Sequence, residues 1–111
     1  MNKYLIRLQT EINICDVLSD FSQYMFIPLE KRGFTYKEYA EKLYRHAEVY
    51  VAKAGNEDAG MIAFYCNDYK AYRAYLTSIV VKDIYQKSGI GAFLLGQMFR
   101  YCRKKKMKII G

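Results

Sequence analysis

The sequence lacks tryptophan, and among its 111 residues it has one proline and one histidine. With so little proline and 16% aromatic residues, it does not have the composition of a disordered chain. Its three cysteines, Cys15, Cys66 and Cys102, are widely spaced and form no CxxC pair. That argues against a zinc ribbon, and the odd count argues against a disulfide framework. Free thiols buried in a reducing cytosol are expected. No apolar run approaches the length of a membrane span. The opening MNKYLIRLQTEI is interrupted by Arg7, Gln9 and Glu11 and has no signal-peptide core. A cytoplasmic protein is the expectation.

Acidic residues are also scarce, 11 against 18 Lys and Arg, for a net charge of +7. Such a balance suits an anionic ligand or partner without naming it; nucleic acid, an acidic membrane and a phosphorylated cofactor all satisfy it. The one charge block is Arg103-Lys104-Lys105-Lys106. It reads first as a solvated helix end that complements the negative pole of the helix, and only secondarily as a nucleic-acid patch with Lys108. The length fits a single domain over 1–111, and 52% hydrophobic residues supply a core.

Periodicity sets the element order. Tyr4, Ile6 and Leu8 alternate as in a strand. Val17, Leu18, Phe21, Tyr24 and Met25 share a helical face over about Ile14 to Ile27, and Pro28 is expected to end that helix. Gly33 marks a turn. Thr35 and Glu38 have capping-box spacing and open a second helix, Tyr36 to His46, with Tyr36, Tyr39, Ala40 and Leu43 inward. The period then changes. Val49 to Ala54 and Gly60 to Cys66 read as an antiparallel hairpin around a turn at 55–58. A polar loop, Asn67 to Arg73, precedes a strand at Tyr75 to Val81. A long helix follows, with Phe93, Leu94, Met98, Tyr101 and Cys102 on one face, and Met107 to Ile110 begins another strand. The order is β-α-α-β-β-β-α-β. Gly96, inside the long helix, is expected to permit close packing on the sheet.

The stretch Leu76 to Met107 organises the rest: an apolar β-branched strand, a polar turn, Gly89 and Gly91, then the helix. A helix N-terminus has unpaired N–H groups at its positive pole, and nearby glycines open it to an anion. The pattern is not a P-loop, because Lys87-Ser88 precedes the glycines and no GK[ST] exists. It also lacks the third glycine of a dinucleotide fingerprint.

The wider frame is more specific. Leu76-Thr77-Ser78-Ile79-Val80-Val81, Lys82-Asp83-Ile84-Tyr85, Gln86-Lys87-Ser88-Gly89-Ile90-Gly91-Ala92 and Leu94-Leu95 closely resemble the signature of the GNAT (GCN5-related N-acetyltransferase) superfamily. Gly60 to Tyr65 is similar to that family's glycine-started third strand, so the resemblance covers nearly the whole chain. It implies an α+β fold, a mixed and mostly antiparallel sheet flanked by helices, and transfer of acetyl from acetyl-CoA to an amine acceptor. It implies that the pyrophosphate sits on N–H groups from Lys87 through Ala92 (with Gln86, Lys87 and Ser88 contributing mainly backbone, and Lys87 also charge). It implies that Ile79, Val80 and Val81 pair with the pantetheine amides. No metal is implied.

Catalytic groups are less defined. Glu48 and Asp68 are candidates for positioning water, and Tyr75 is a further candidate just before Thr77 and Ser78. His46, at a helix end, fits a structural or surface role better than that of a base. Tyr69 and Tyr72 are candidates to line an acceptor site. Gly60 to Asp68 resembles acyltransferases associated with bacterial surface sugars, which suggests an amino sugar. The family pattern continues past a fifth strand into a further helix and strands, and this sequence reaches only the start of that strand. Hence the expectation of an uncovered edge on Tyr75 to Val81 and of self-association, with Lys108-Ile109-Ile110 pairing across subunits. Two function classes stand: an acyl-CoA N-acyltransferase, and a catalytically weak CoA-binding or self-associating module.

Overall fold

The computed structural model describes residues 2–25, 31, 33 and 35–110. The first strand, β1 (Lys3–Arg7), leads to helix α1 (Glu11–Phe21) and a short 3-10 turn, Ser22–Tyr24. Helix α2 (Tyr36–His46) runs directly into β2 (Ala47–Ala54). Then follow β3 (Glu57–Asp68), β4 (Arg73–Val81), a 3-10 turn at Asp83–Tyr85, helix α3 (Ile90–Lys104) and β5 (Lys108–Ile110). The five strands lie in chain order, β1-β2-β3-β4-β5. All neighbours are antiparallel except β4 and β5, which are parallel. The fold is the α+β architecture expected from the residue pattern.

The sheet is buried on both faces. On one, Ile14, Leu18 and Phe21 of α1 and Tyr39, Ala40 and Leu43 of α2 pack on Val49, Val51, Met61, Ala63 and Val80. On the other, Ile90, Leu94, Met98 and Cys102 of α3 pack on Tyr50, Ala52, Ile62, Phe64 and Ala74. The central strands therefore read as apolar runs more than as alternation, because neither face meets water.

Several boundaries differ from expectation. Helix α1 starts earlier, with Thr10 accepting from the Asn13 N–H at 3.1 Å, and it ends at Phe21. Met25 is already extended, so Tyr24 and Met25 do not continue the helical stripe; Ile27 and Pro28 lie outside the described residues. The Thr35 cap forms, its hydroxyl accepting from the Glu38 N–H (3.1 Å), but Glu38 reaches back to that same hydroxyl (2.8 Å), whereas the capping-box spacing predicts a bond to the Thr35 backbone N–H. The hairpin turn is only Gly55-Asn56, with Gly55 at φ +61°, and Glu57 and Asp58 already belong to β3. A two-residue turn needs positive φ to match the twist of its strands, which glycine supplies. Leu8 lies just past β1, where its N–H donates to the Val49 carbonyl.

Gly96 is not the contact glycine. A Cβ there would meet only Arg100 Nη1, at 3.4 Å. The close approach of α3 to the sheet occurs at Gly60 in β3. A Cβ at Gly60 would stand 2.9 Å from Ile90 Cγ2, 3.0 Å from Leu94 Cδ1 and 3.0 Å from the Val80 carbonyl oxygen. That glycine sets how near the first turn of α3 comes to β4, and so fixes the geometry of the site below.

Candidate active site

The turn between β4 and α3 is built for exposed amides. Ser88 closes it by donating both its N–H and its hydroxyl to the Tyr85 carbonyl. Lys87 (φ +66°) and Gly89 (φ +86°) are left-handed, and Ser88 between them is not. Alternating hand turns successive N–H groups toward one concave side. The first hydrogen bond of the helix is Phe93 N–H to the Gly89 carbonyl, at 3.0 Å. Hence the N–H groups of Lys87, Gly89, Ile90, Gly91 and Ala92 have no acceptor among the described residues. The first turn of α3 also carries no acidic side chain. Positive φ at a lysine is uncommon, and such strain is a recurrent mark of functional turns.

The Gln86 side chain points back instead of outward, with long contacts to the Val81 carbonyl (3.5 Å) and Asp83 (3.4 Å). Gly91 has open space beside it; a Cβ there would be 3.9 Å from Val81 Cγ2. Val81 and Ile79 lie toward the α3 face, whereas Val80 is buried on the other.

Strand β4 is only partly covered. Its pairing with β5 ends at Tyr75, opposite Ile110, so among the described residues Leu76 to Val81 have no strand on that side. An unpaired strand edge thus runs along β4 toward the α3 N-terminus. Between Ala63 and Phe64 the register with β3 shifts: Ser78 faces Ala63, Leu76 faces Phe64, and Thr77 is the extra residue of a bulge. The bulge lies about 13 Å along the strand from Val81. It lets two successive hydroxyls reach one partner. The Tyr39 hydroxyl is 2.8 Å from Thr77 Oγ1 and 2.9 Å from Ser78 Oγ. The Tyr65 hydroxyl, on the same face, is buried without a hydrogen-bond partner among the described residues, and burial pushes its pKa up.

The catalytic candidates are not brought together. Glu48 is two strands away, ion-paired with Arg7 at 2.6 Å, a contact without hydrogen-bond alignment. Asp68 caps the β3–β4 turn by accepting from the Ala71 N–H at 3.1 Å. Tyr69 and Tyr72 meet edge to face in that same turn, at the end of β4 away from the amide cradle. His46 ends α2, and its carbonyl accepts from Asn67. Only Tyr75 stands at the fork where β5 leaves β4. Tyr39 was legible only as part of an apolar stripe, because nothing in the sequence shows what its hydroxyl meets.

Elsewhere, a cavity of about 410 Å³ lies beside Arg7, Tyr44 and Arg45, but both guanidiniums are paired, with Glu48 and Glu41. Among the described residues no cluster of His, Cys, Asp and Glu side chains suits a metal, and no helix is long and apolar enough to cross a membrane.

Comparison with known proteins agrees with this fold. The model of the acetyltransferase (GNAT) family matches residues 14–110. The chain belongs to that family and by class is an N-acetyltransferase. No curated protein matches it. Among solved structures, an aminoglycoside acetyltransferase from an uncultured soil metagenomic sample superposes with a TM-score of 0.77 at 15% identity, over 100% of this chain and 78% of that one. The ribosomal-protein-S18-alanine N-acetyltransferase of Escherichia coli gives 0.75 at 17% identity, over 94% of this chain and 61% of that one. A second soil metagenomic aminoglycoside acetyltransferase, in complex with sisomicin, gives 0.70 at 22% identity, over 98% and 75%. At these identities the superpositions establish the fold.

Proposed function

We propose that this chain transfers acetyl from acetyl-CoA to a primary amine on a small molecule. The observation that carries the reading is the set of five N–H groups, Lys87 and Gly89 to Ala92, that have no acceptor among the described residues, beside a strand edge that no described strand covers. The amides match the charge and size of a pyrophosphate. The free edge at Ile79 to Val81 matches an extended chain bearing amides, which pairs with it as an added strand does. The donor supplies an activated thioester.

The chain's own part is to align donor and amine at the bulge of β4. Alignment alone removes a large entropic barrier to attack of the amine nitrogen on the acyl carbon. As the C–S bond breaks, the amine gives up a proton and the thiolate takes one. The hydroxyls of Tyr39, Thr77 and Ser78 meet at the bulge, and Tyr75 lies two residues before it on the same strand, opposite Tyr65. The acceptor reading is an amine on a sugar ring. It draws on the likeness of Gly60 to Asp68 to acyltransferases of surface sugars and on the aminoglycoside acetyltransferases among the structural neighbours.

Calorimetry with CoA tests the donor site; no binding at millimolar CoA would remove the reading. A thiol-release assay with acetyl-CoA and separate pools of amino sugars, aminoglycosides and peptides with N-terminal alanine tests the acceptor. Release with the sugar-ring amines is expected. Release only with the peptides would transfer the acceptor assignment to them. CoA binding with no release in any pool would favour a CoA-binding module.

A further inference from the structure

Lys3 belongs to the strand farthest from β4 and β5, yet its side chain reaches the amide cradle. Its Nζ lies 3.5 Å from the position that a Cβ on Gly89 would occupy, and 5.6 Å from the centre of the Phe93 ring in the first turn of α3. It has no carboxylate within ion-pair distance among the described residues. The carboxylate of Glu57, at the same end of the sheet, is engaged by the Tyr85 hydroxyl.

The placement is electrostatically costly as it stands. A helix N-terminus carries about half a positive charge, and its first-turn amides here have no acceptor among the described residues. A cation held beside it is repelled, and the Phe93 face offsets that only in part. An anion seated on the amides reverses the sign of the whole arrangement, because the ammonium then faces negative charge.

We propose that Lys3 is a phosphate-binding residue: its ammonium closes over a pyrophosphate seated on the α3 N-terminus, from the side opposite β4. This rests on the acetyl-CoA reading above. It adds a contact supplied by the first strand, well outside the strand–turn–helix stretch. The backbone amides fix where the phosphates sit, and Lys3 adds charge that is screened by salt.

The test is calorimetry with CoA, 3′-dephospho-CoA and S-acetylpantetheine on the wild-type protein, Lys3→Ala and Lys3→Arg, at two salt concentrations. Lys3→Ala is expected to weaken CoA and 3′-dephospho-CoA equally, by about three- to tenfold, and to flatten the salt dependence of both. S-acetylpantetheine, which lacks the pyrophosphate, is expected to be unaffected, and Lys3→Arg to retain most of the affinity. Lys3 is exposed, and matching urea midpoints for wild type and Lys3→Ala would exclude an effect through folding. Unchanged CoA affinity in Lys3→Ala would overturn the Lys3 assignment and leave the donor site standing. Weakening of CoA but not of 3′-dephospho-CoA would overturn it in favour of a contact to the 3′-phosphate. A wild-type protein that binds none of the three would overturn both readings.

Discussion

Replacing Gly91 should separate folding from cofactor binding. It is the second residue of α3, and a Cβ there would make only an ordinary contact, 3.9 Å from Val81 Cγ2. The fold therefore accepts a side chain. Alanine is favoured over glycine in a helix by up to about 1 kcal/mol, and by less in the first turn. Gly91→Ala should thus raise the unfolding free energy by between zero and about 1 kcal/mol. Binding should move the opposite way. A side chain at Gly91 holds an anion off the neighbouring amides, and a hydrogen bond to a charged group contributes about 1.5–3 kcal/mol. Loss of one such bond weakens CoA binding roughly 10- to 150-fold. Gly91→Leu should do this more completely than alanine. Urea denaturation and calorimetry with CoA, run on the same preparations, read the two effects. Wild-type CoA affinity in Gly91→Leu would refute the amide-cradle argument. Lost affinity accompanied by a marked loss of stability would refute the claim that the position is open.

Gly60→Ala should destabilise the fold by about 1–3 kcal/mol, seen as a lower urea midpoint, because one of the atoms its Cβ meets is the Val80 carbonyl, which cannot rotate away; an unchanged midpoint would contradict that packing. Tyr39→Phe strips the two bulge hydroxyls of a shared partner and should cost about 1–2 kcal/mol of stability; Thr77→Val in the same background should then cost less than it does alone, and strict additivity would argue against coupling. Burial pushes the Cys102 thiol from 9.0 up to about 12, and it raises Cys66 as well. A raised folded-state pKa means that this stabilisation is complete below pH 9 and is lost as pH climbs toward 12. Urea midpoints should therefore fall over that window, and at pH 8 a thiol reagent should modify the less buried Cys15 well before the other two; three equal rates would contradict the burial. Self-association through the open edge of β4 is expected in light scattering at high concentration. Because β5 already pairs with its own β4, cross-subunit pairing through Lys108 to Ile110 is left only the other edge of β5, and a monodisperse monomer would remove the expectation.

What was legible in the sequence is what local chemistry dictates. Leu76 to Val81 is β-branched and apolar, Gly89 and Gly91 stand where a helix opens, and Leu94 and Met98 recur at helical spacing; each property belongs to a few neighbouring residues. The Thr35 cap was legible for the same reason. The bulge was not, because Thr77 and Ser78 look like ordinary strand residues and register is decided by the partner strand. Gly96 was misread as the packing glycine because a glycine's role depends on what crosses it, and Gly60 is the one that α3 crosses. The same holds for Glu48 and Asp68: sequence shows carboxylates, but only the fold shows that one faces Arg7 and the other caps a turn. Lys3 lies 86 positions before Gly89 and no local pattern links them.

The order of strands in the sheet also bears on how the chain folds. Strands β2, β3 and β4 pair with their sequence neighbours, and the β2–β3 turn is two residues long. Their contacts close short loops and have little entropy to overcome. Strand β1 pairs across an intervening segment, Lys3 opposite Ala54, and loop closure there costs more. The meander with α3 is thus expected to form early, with β1 docking onto it late. Mutations in β1 should then change mainly the unfolding rate, and mutations at the Gly55 turn the folding rate. A phosphate held between α3 and Lys3 would join the first part of the sheet to form to the last, and bound ligand would slow the detachment of β1.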